Sequence, residues 1–160
     1  MNGALLLAAL LSAALGLPLS YAPRRDVLAA LALLALGAVA AGALWQPRLL
    51  PGEAVRVACS IGIAATAAVV HIPGGVPRWA ALGLGANAGF WLGALAVDTG
   101  SPLILLALPL TLLAFPGAWI AGGRYGFALK VASGWLIAIG MMTAALPLLS
   151  TPGYQKAHME

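Results

Sequence analysis

The chain has 160 residues, of which 62% are hydrophobic and only 8% charged, and its formal net charge is +4. Soluble domains carry about 25% charged residues, so eight basic and four acidic side chains leave too little polar surface for a globule in water, and the bilayer is the expected solvent. The basic balance does not indicate nucleic acid, because apart from the Arg24–Arg25 pair Lys and Arg are scattered singly between the spans and a binding footprint needs them clustered on one face.

A helix needs roughly 20 apolar residues to cross about 30 Å of hydrocarbon, and six stretches approach that length. Lipid supplies no partner for stray backbone groups, so only helices or a closed barrel span it. These Ala/Leu/Gly runs lack the alternation of barrel strands. The sequence therefore predicts an all-α polytopic bundle of six transmembrane helices, arranged as three hairpins in one domain over 1–149.

The first span, 3–19, has no Lys or Arg before it, so it lacks the basic segment of a cleavable signal peptide. Pro23-Arg24-Arg25-Asp26 turns the chain into the second span, 27–45. A connection from Gln46 leads to the third span, 56–72, whose apolar run from Val57 is the shortest and needs Arg56 or the residues around Ile72 to complete it, and in which Ala58, Gly62 and Thr66 recur every four residues. The sole cysteine, Cys59, has no intramolecular partner for a disulfide. His71 closes this span, and Pro73-Gly74-Gly75-Val76-Pro77-Arg78 forms the next turn.

The fourth span, 79–97, carries the sharpest pattern. Ala81, Gly85, Gly89 and Gly93 fall on one helix face, and small side chains let a second backbone approach closely where lipid gives no hydrophobic drive for association. Packing within the protomer is the first reading of this stripe, with an oligomer interface or pore wall as the alternative. Asn87 lies mid-span. An unpaired amide in hydrocarbon is costly, so the expectation is an interhelical hydrogen bond to Thr66, Ser133 or Thr143; a place in a polar solute path is the competing reading.

Asp98-Thr99-Gly100-Ser101 leads to the fifth span, 102–122. Pro109 and Pro116, seven residues apart, each remove a backbone donor and predict kinks. Gly122-Gly123-Arg124-Tyr125-Gly126 precedes the sixth span, 127–149, and a short polar tail, 150–160, follows. Lys130 and Arg56 lie close enough to span ends to snorkel to the interface. Tyr21, Trp79, Trp119 and Tyr125 fit an inner aromatic belt, and Trp45 and Tyr154 an outer one.

Orientation follows from counting Lys and Arg on each side. Arg24, Arg25, Arg78, Arg124 and Lys130 lie at the turns within hairpins, against Arg48, Arg56 and Lys156 opposite. This predicts cytoplasmic hairpin turns and both termini outside, in a bacterial cytoplasmic (inner) membrane.

No stretch carries a catalytic signature, so the chain is expected not to be an enzyme. It is also expected to bind no cofactor and no metal: its two histidines, His71 and His158, fall on opposite sides of six spans. Ala157-His158-Met159-Glu160 offers at most weak copper-ligand types. The composition fits a non-catalytic subunit or scaffold of a membrane complex, with lipid and other membrane subunits or a second copy as partners. A small channel or transporter for an ion or small solute is the alternative. A membrane redox or metal-handling component stands third.

Overall fold

The computed structural model describes residues 3–45, 51–100 and 102–146. Its regular elements are all helical: α1 (Gly3–Leu19), α2 (Arg24–Leu44), α3 (Gly52–Ala68) continued by a 3-10 turn (Val69–His71), α4 (Arg78–Thr99), a 3-10 segment (Pro102–Leu113) running into α5 (Ala114–Ala121), and α6 (Gly126–Ala145). Four helical stretches are long and apolar enough to cross a membrane, namely Arg24–Leu44, Gly52–His71, Arg78–Thr99 and Gly126–Ala145; Gly3–Leu19 and Leu105–Ala121 are shorter apolar helices. The tail, with Tyr154, Lys156, His158 and Met159, and the connection that holds Arg48 lie outside the described residues.

Proline marks the helix starts. Pro23, Pro51 and Pro77 stand immediately before α2, α3 and α4 respectively, with no side-chain cap, because a fixed φ suits the first turn and the missing N–H has no helical partner there. At the far end of α4, Gly100 adopts φ 62° and caps the helix through bonds to the Ala96 and Val97 carbonyls, the left-handed geometry that favours glycine.

The centre belongs to α1. Leu7, Leu11, Leu15 and Leu19 are buried, and so are Ala8, Ser12 and Gly16 on its other sides, the burial expected of a helix that is apolar all round. Around it stand α3, α4, the 3-10 segment, α5 and α6. Helix α2 is peripheral and packs mainly on α4, while α6 packs mainly on α3. Both leave large apolar side chains outside: Leu28, Leu36, Val39 and Leu44 on α2, and Phe127, Val131, Trp135, Met141 and Met142 on α6.

The most extensive contacts join elements that are not neighbours in the chain. Ala30, Leu34 and Ala38 of α2 face Gly85, Gly89 and Gly93 of α4 in the same order, so these two helices run parallel. Gly140 of α6 meets Ser60 and Ala64 of α3, and Ser133 bonds to His71, so α3 and α6 run antiparallel. Gly16 of α1 meets Leu110, Leu113 and Ala114, and Gly117 meets Ser20, a parallel pairing.

The fifth segment differs from a kinked α-helix. Its first 12 residues form a 3-10 helix with Pro109 inside it, far longer than the three or four residues usual for that form. Pro109 and Pro116 each delete a donor and crowd the carbonyl four residues back, at Leu105 and Leu112, which disfavours the α register along this stretch. The gain is reach: at about 2.0 Å per 3-10 residue and 1.5 Å per α residue, Pro102 to Ala121 extends roughly 36 Å, where 20 α-helical residues give about 30 Å.

Candidate functional site

Gly85, Gly89 and Gly93 form the closest helix contact. A Cβ at each would collide with the carbonyl oxygen of Ala30, Leu34 and Ala38 respectively. From the other side, a Cβ at Gly37 would lie 2.8 Å from the Ala86 carbonyl oxygen. The obstacle is backbone in every case, so no rotamer change relieves it. Ala81, fully buried, extends the face by one turn. At one end of this pair Asp26, with its side chain only 6% exposed, lies 3.7 Å from Arg78 Nε and 3.8 Å from Arg25 Nε. The carboxylate at the start of α2 thus binds the start of α4 electrostatically, at distances beyond direct hydrogen bonding.

Asn87 behaves differently from the interhelical bridge that the sequence suggests. It is exposed on the outside of α4, and its Oδ1 accepts a hydrogen bond from Trp91 Nε1 at 3.1 Å, one turn along the same helix. The three hydroxyls expected as its partners are otherwise engaged or turned away. Ser133 Oγ lies 2.9 Å from His71 Nε2 and donates to the Lys130 carbonyl; Thr143 donates to the Ile139 and Gly140 carbonyls of its own helix; Thr66 Oγ1 is buried without an acceptor among the described residues. Ser133 and Thr143 thus satisfy their hydroxyl protons on the preceding turn, which leaves them unavailable to a distant amide, whereas Thr66 meets neither a carbonyl nor Asn87 among the described residues.

The amide sits over the seam between α3 and α4. A Cβ at Gly62 would stand 3.8 Å from Asn87 Nδ2, an ordinary van der Waals contact, so the side chain reaches the edge of α3. Trp91 is held in turn by edge-to-face contacts, 5.4 Å to Phe90 and 6.3 Å to Trp45, with Trp45 and Phe90 5.7 Å apart. Trp45 therefore meets two aromatic rings of α4. With Trp91 filling Oδ1, both Nδ2 hydrogens of Asn87 lack an acceptor among the described residues.

Sequence reasoning missed three contacts. Gly140 packs on α3 much as the α4 stripe packs on α2, its Cβ position 2.8 Å from the Ser60 carbonyl oxygen. Gly117 leaves space for Ser20. The His71–Ser133 bond joins α6 to the end of α3. Gly37 and Gly140 lack the four-residue glycine repeat that makes Gly85, Gly89 and Gly93 conspicuous.

Other sites offer little chemistry. Among the described residues, no three His, Cys, Asp or Glu side chains gather where they could hold a metal ion. Cys59 is buried, with its Sγ 4.0 Å from the Trp91 carbonyl. Tyr21, at the turn after α1, donates its hydroxyl proton to the Gly126 carbonyl at 3.0 Å, and burial raises its pKa above the ordinary tyrosine value. An apolar groove of about 510 Å³ opens between α1, α5 and α6, lined by Leu17, Pro116, Ile120, Trp135 and their neighbours. Compared with protein-family models, with curated proteins and with solved structures, the chain matches none.

Proposed function

We propose that this chain is a small integral membrane protein of six spans, with both termini outside, that works as a non-catalytic subunit or scaffold of a membrane complex. The observation that carries this reading is Asn87. Its amide stands at the middle of a 22-residue apolar helix, exposed on the outside of the bundle, with two donor hydrogens unmatched by the described residues. In hydrocarbon an unmatched amide is costly, and polar side chains serve as interhelical glue. A neighbouring chain that supplies an acceptor removes the cost. The filled centre around α1 favours this reading over a conduit through one protomer, since Leu11, Leu15 and Leu19 stand fully buried there.

The test is the size of the native assembly. Solubilised gently from its own membranes, the parent protein should migrate well above its 16.1 kDa, and Asn87→Leu should shift it toward the single chain. A parent that migrates as a single chain, or a variant indistinguishable from a larger parent, would defeat the subunit reading. Flux of an ion or solute through liposomes of the purified protein, altered by Asn87→Leu, would establish the channel alternative instead.

A further inference from the structure

We propose a second site, independent of the subunit reading: a pocket for a phosphoryl group at the end of the bundle where the Gly74–Gly75 turn meets Lys130. A cavity of about 200 Å³ is lined there by Tyr21, Val70, Gly74, Gly75, Val76 and Lys130, with Ile72 and Pro73 completing it and no acidic residue in the lining. Liquid water occupies about 30 Å³ per molecule, so the space is large enough for a phosphate.

The donors are of two kinds. Lys130 is exposed on α6 and makes no salt bridge with the described residues. The backbone N–H groups of Gly74 and Val76 find no acceptor among the described residues, while that of Gly75 closes the turn over Pro73 and Gly74. Gly74 and Gly75 hold φ 94° and 89°, which residues other than glycine rarely adopt. With no side chain at either position, the backbone of the turn lines the cavity directly. The Tyr21 hydroxyl spends its hydrogen on the Gly126 carbonyl, so it borders the pocket without donating into it.

The surrounding charge has the matching sign. Contacts of Tyr21 with Gly75 and Gly126, and of Asp26 with Arg78, bring the three turns to one end. That end holds Arg24, Arg25, Arg78, Arg124 and Lys130, five of the six described Lys and Arg residues, and its one described acid, Asp26, is engaged by Arg25 and Arg78. Basic pockets between membrane helices recognise anionic lipid headgroups. The shared chemistry is a phosphoryl oxyanion, carried either by an anionic phospholipid or by a soluble phosphate.

The experiment uses the full chain in nanodiscs of phosphatidylcholine, doped stepwise with phosphatidylglycerol, or given inorganic phosphate in solution. Bound lipid is counted by native mass spectrometry, and melting temperature is followed in parallel. Lys130→Gln tests the pocket, and Arg124→Gln removes an equal charge from the same end without touching the lining. Saturable retention of one phosphatidylglycerol per chain, weakened about tenfold by Lys130→Gln and little by Arg124→Gln, supports the site with a lipid ligand. Stabilisation by inorganic phosphate with the same dependence on Lys130 supports it with a soluble one. Equal weakening by both variants reveals general attraction to a charged surface and overturns the pocket, as does the absence of any preference over phosphatidylcholine together with no response to phosphate. Lys130→Arg should restore binding, which separates loss of the cation from damage to the fold.

Discussion

Glycine at residue 83 and glycine at residue 89 occupy the same helix and have opposite prospects. A Cβ at Gly83 meets nothing within 4 Å, whereas one at Gly89 runs into the backbone of Leu34. Replacing an open helical glycine by alanine recovers up to about 1 kcal/mol of helix propensity. Overpacking against an immovable backbone costs about 1–3 kcal/mol or more. Gly83→Ala should therefore melt at or above the parent temperature, and Gly89→Ala clearly below it, with Gly89→Leu worse still. Equal melting of the two alanine variants would show that α2 and α4 are not in backbone contact.

Tyr21 gives a pH-dependent companion to that pair. Its pKa is raised by burial, so the neutral ring is favoured in the folded protein. Below the ordinary tyrosine value both folded and unfolded states are neutral and the bond to Gly126 contributes in full. Above about pH 10 the unfolded chain ionises first, and that stability is lost as pH rises through the raised value. Tyr21→Phe should cost about 1 kcal/mol at neutral pH, the usual worth of a neutral hydrogen bond, and should flatten the alkaline part of the stability profile. An unchanged alkaline slope would exclude Tyr21 as its source.

Among the elements, the fifth segment shows best what the sequence withholds. The apolar runs and their Gly and Pro punctuation make the helical class legible, because period, length and turn chemistry are local properties. Two prolines at seven-residue spacing suggest kinks, yet the chain resolves the same loss of donors by winding 12 residues as a 3-10 helix. That outcome is set against its neighbours: Leu113 and Ala114 lie against Gly16 of α1, and Gly117 leaves space for Ser20. Likewise, the stripe on α4 announces a close contact without saying that α2 provides it, since the recognition lies in Ala30, Leu34 and Ala38 and not in any spacing on α4. Asn87 is legible as a polar anomaly, but its outward direction depends on how α4 is rotated against α2 and α3.

The parallel pairing of α1 with the fifth segment is directly testable. A Cβ at Gly16 would lie 3.5 Å from Leu113 Cβ, within the range of about 3.5–4.5 Å that a disulfide needs. With Cys59 replaced by Ala, Gly16→Cys and Leu113→Cys together should crosslink readily on oxidation. Adding Pro109→Ala lets the segment relax toward α geometry. At about 120° per 3-10 residue against 100° per α residue, the side chain at 113 would then turn by roughly 80° relative to the one at 109, and crosslinking should fall several-fold. A pair that never crosslinks would remove this contact from the fold.

Across the whole molecule, charge and contact agree on two unlike ends. Five cations gather at the three turns near Tyr21, Gly75 and Gly126, while the described part of the opposite end has Arg56 with Glu53 and Asp98, the Asp98 carboxylate lying against Gly52. Lys and Arg near short loops set orientation, with acids contributing little, so the five-cation end belongs in the cytoplasm under the proposed topology. A reporter that fluoresces only in the cytoplasm should be bright in the turn at Arg124 and dark after Glu160, and an enzyme active only outside should give the reverse. Both reporters on the same side at these two positions would refute six spans; six spans with the signals exchanged would refute the orientation. Arginine content also predicts how the molecule can be turned. Neutralising Arg24, Arg25 and Arg124 to Gln leaves Arg78 and Lys130 against Arg48, Arg56 and Lys156, two against three. That reversal of the count should move a fraction of the chains to the opposite orientation, seen as fluorescence gained after Glu160, while Asp26→Asn alone should move none. If the neutralised protein keeps the parent pattern in every chain, the charge count is not what orients it.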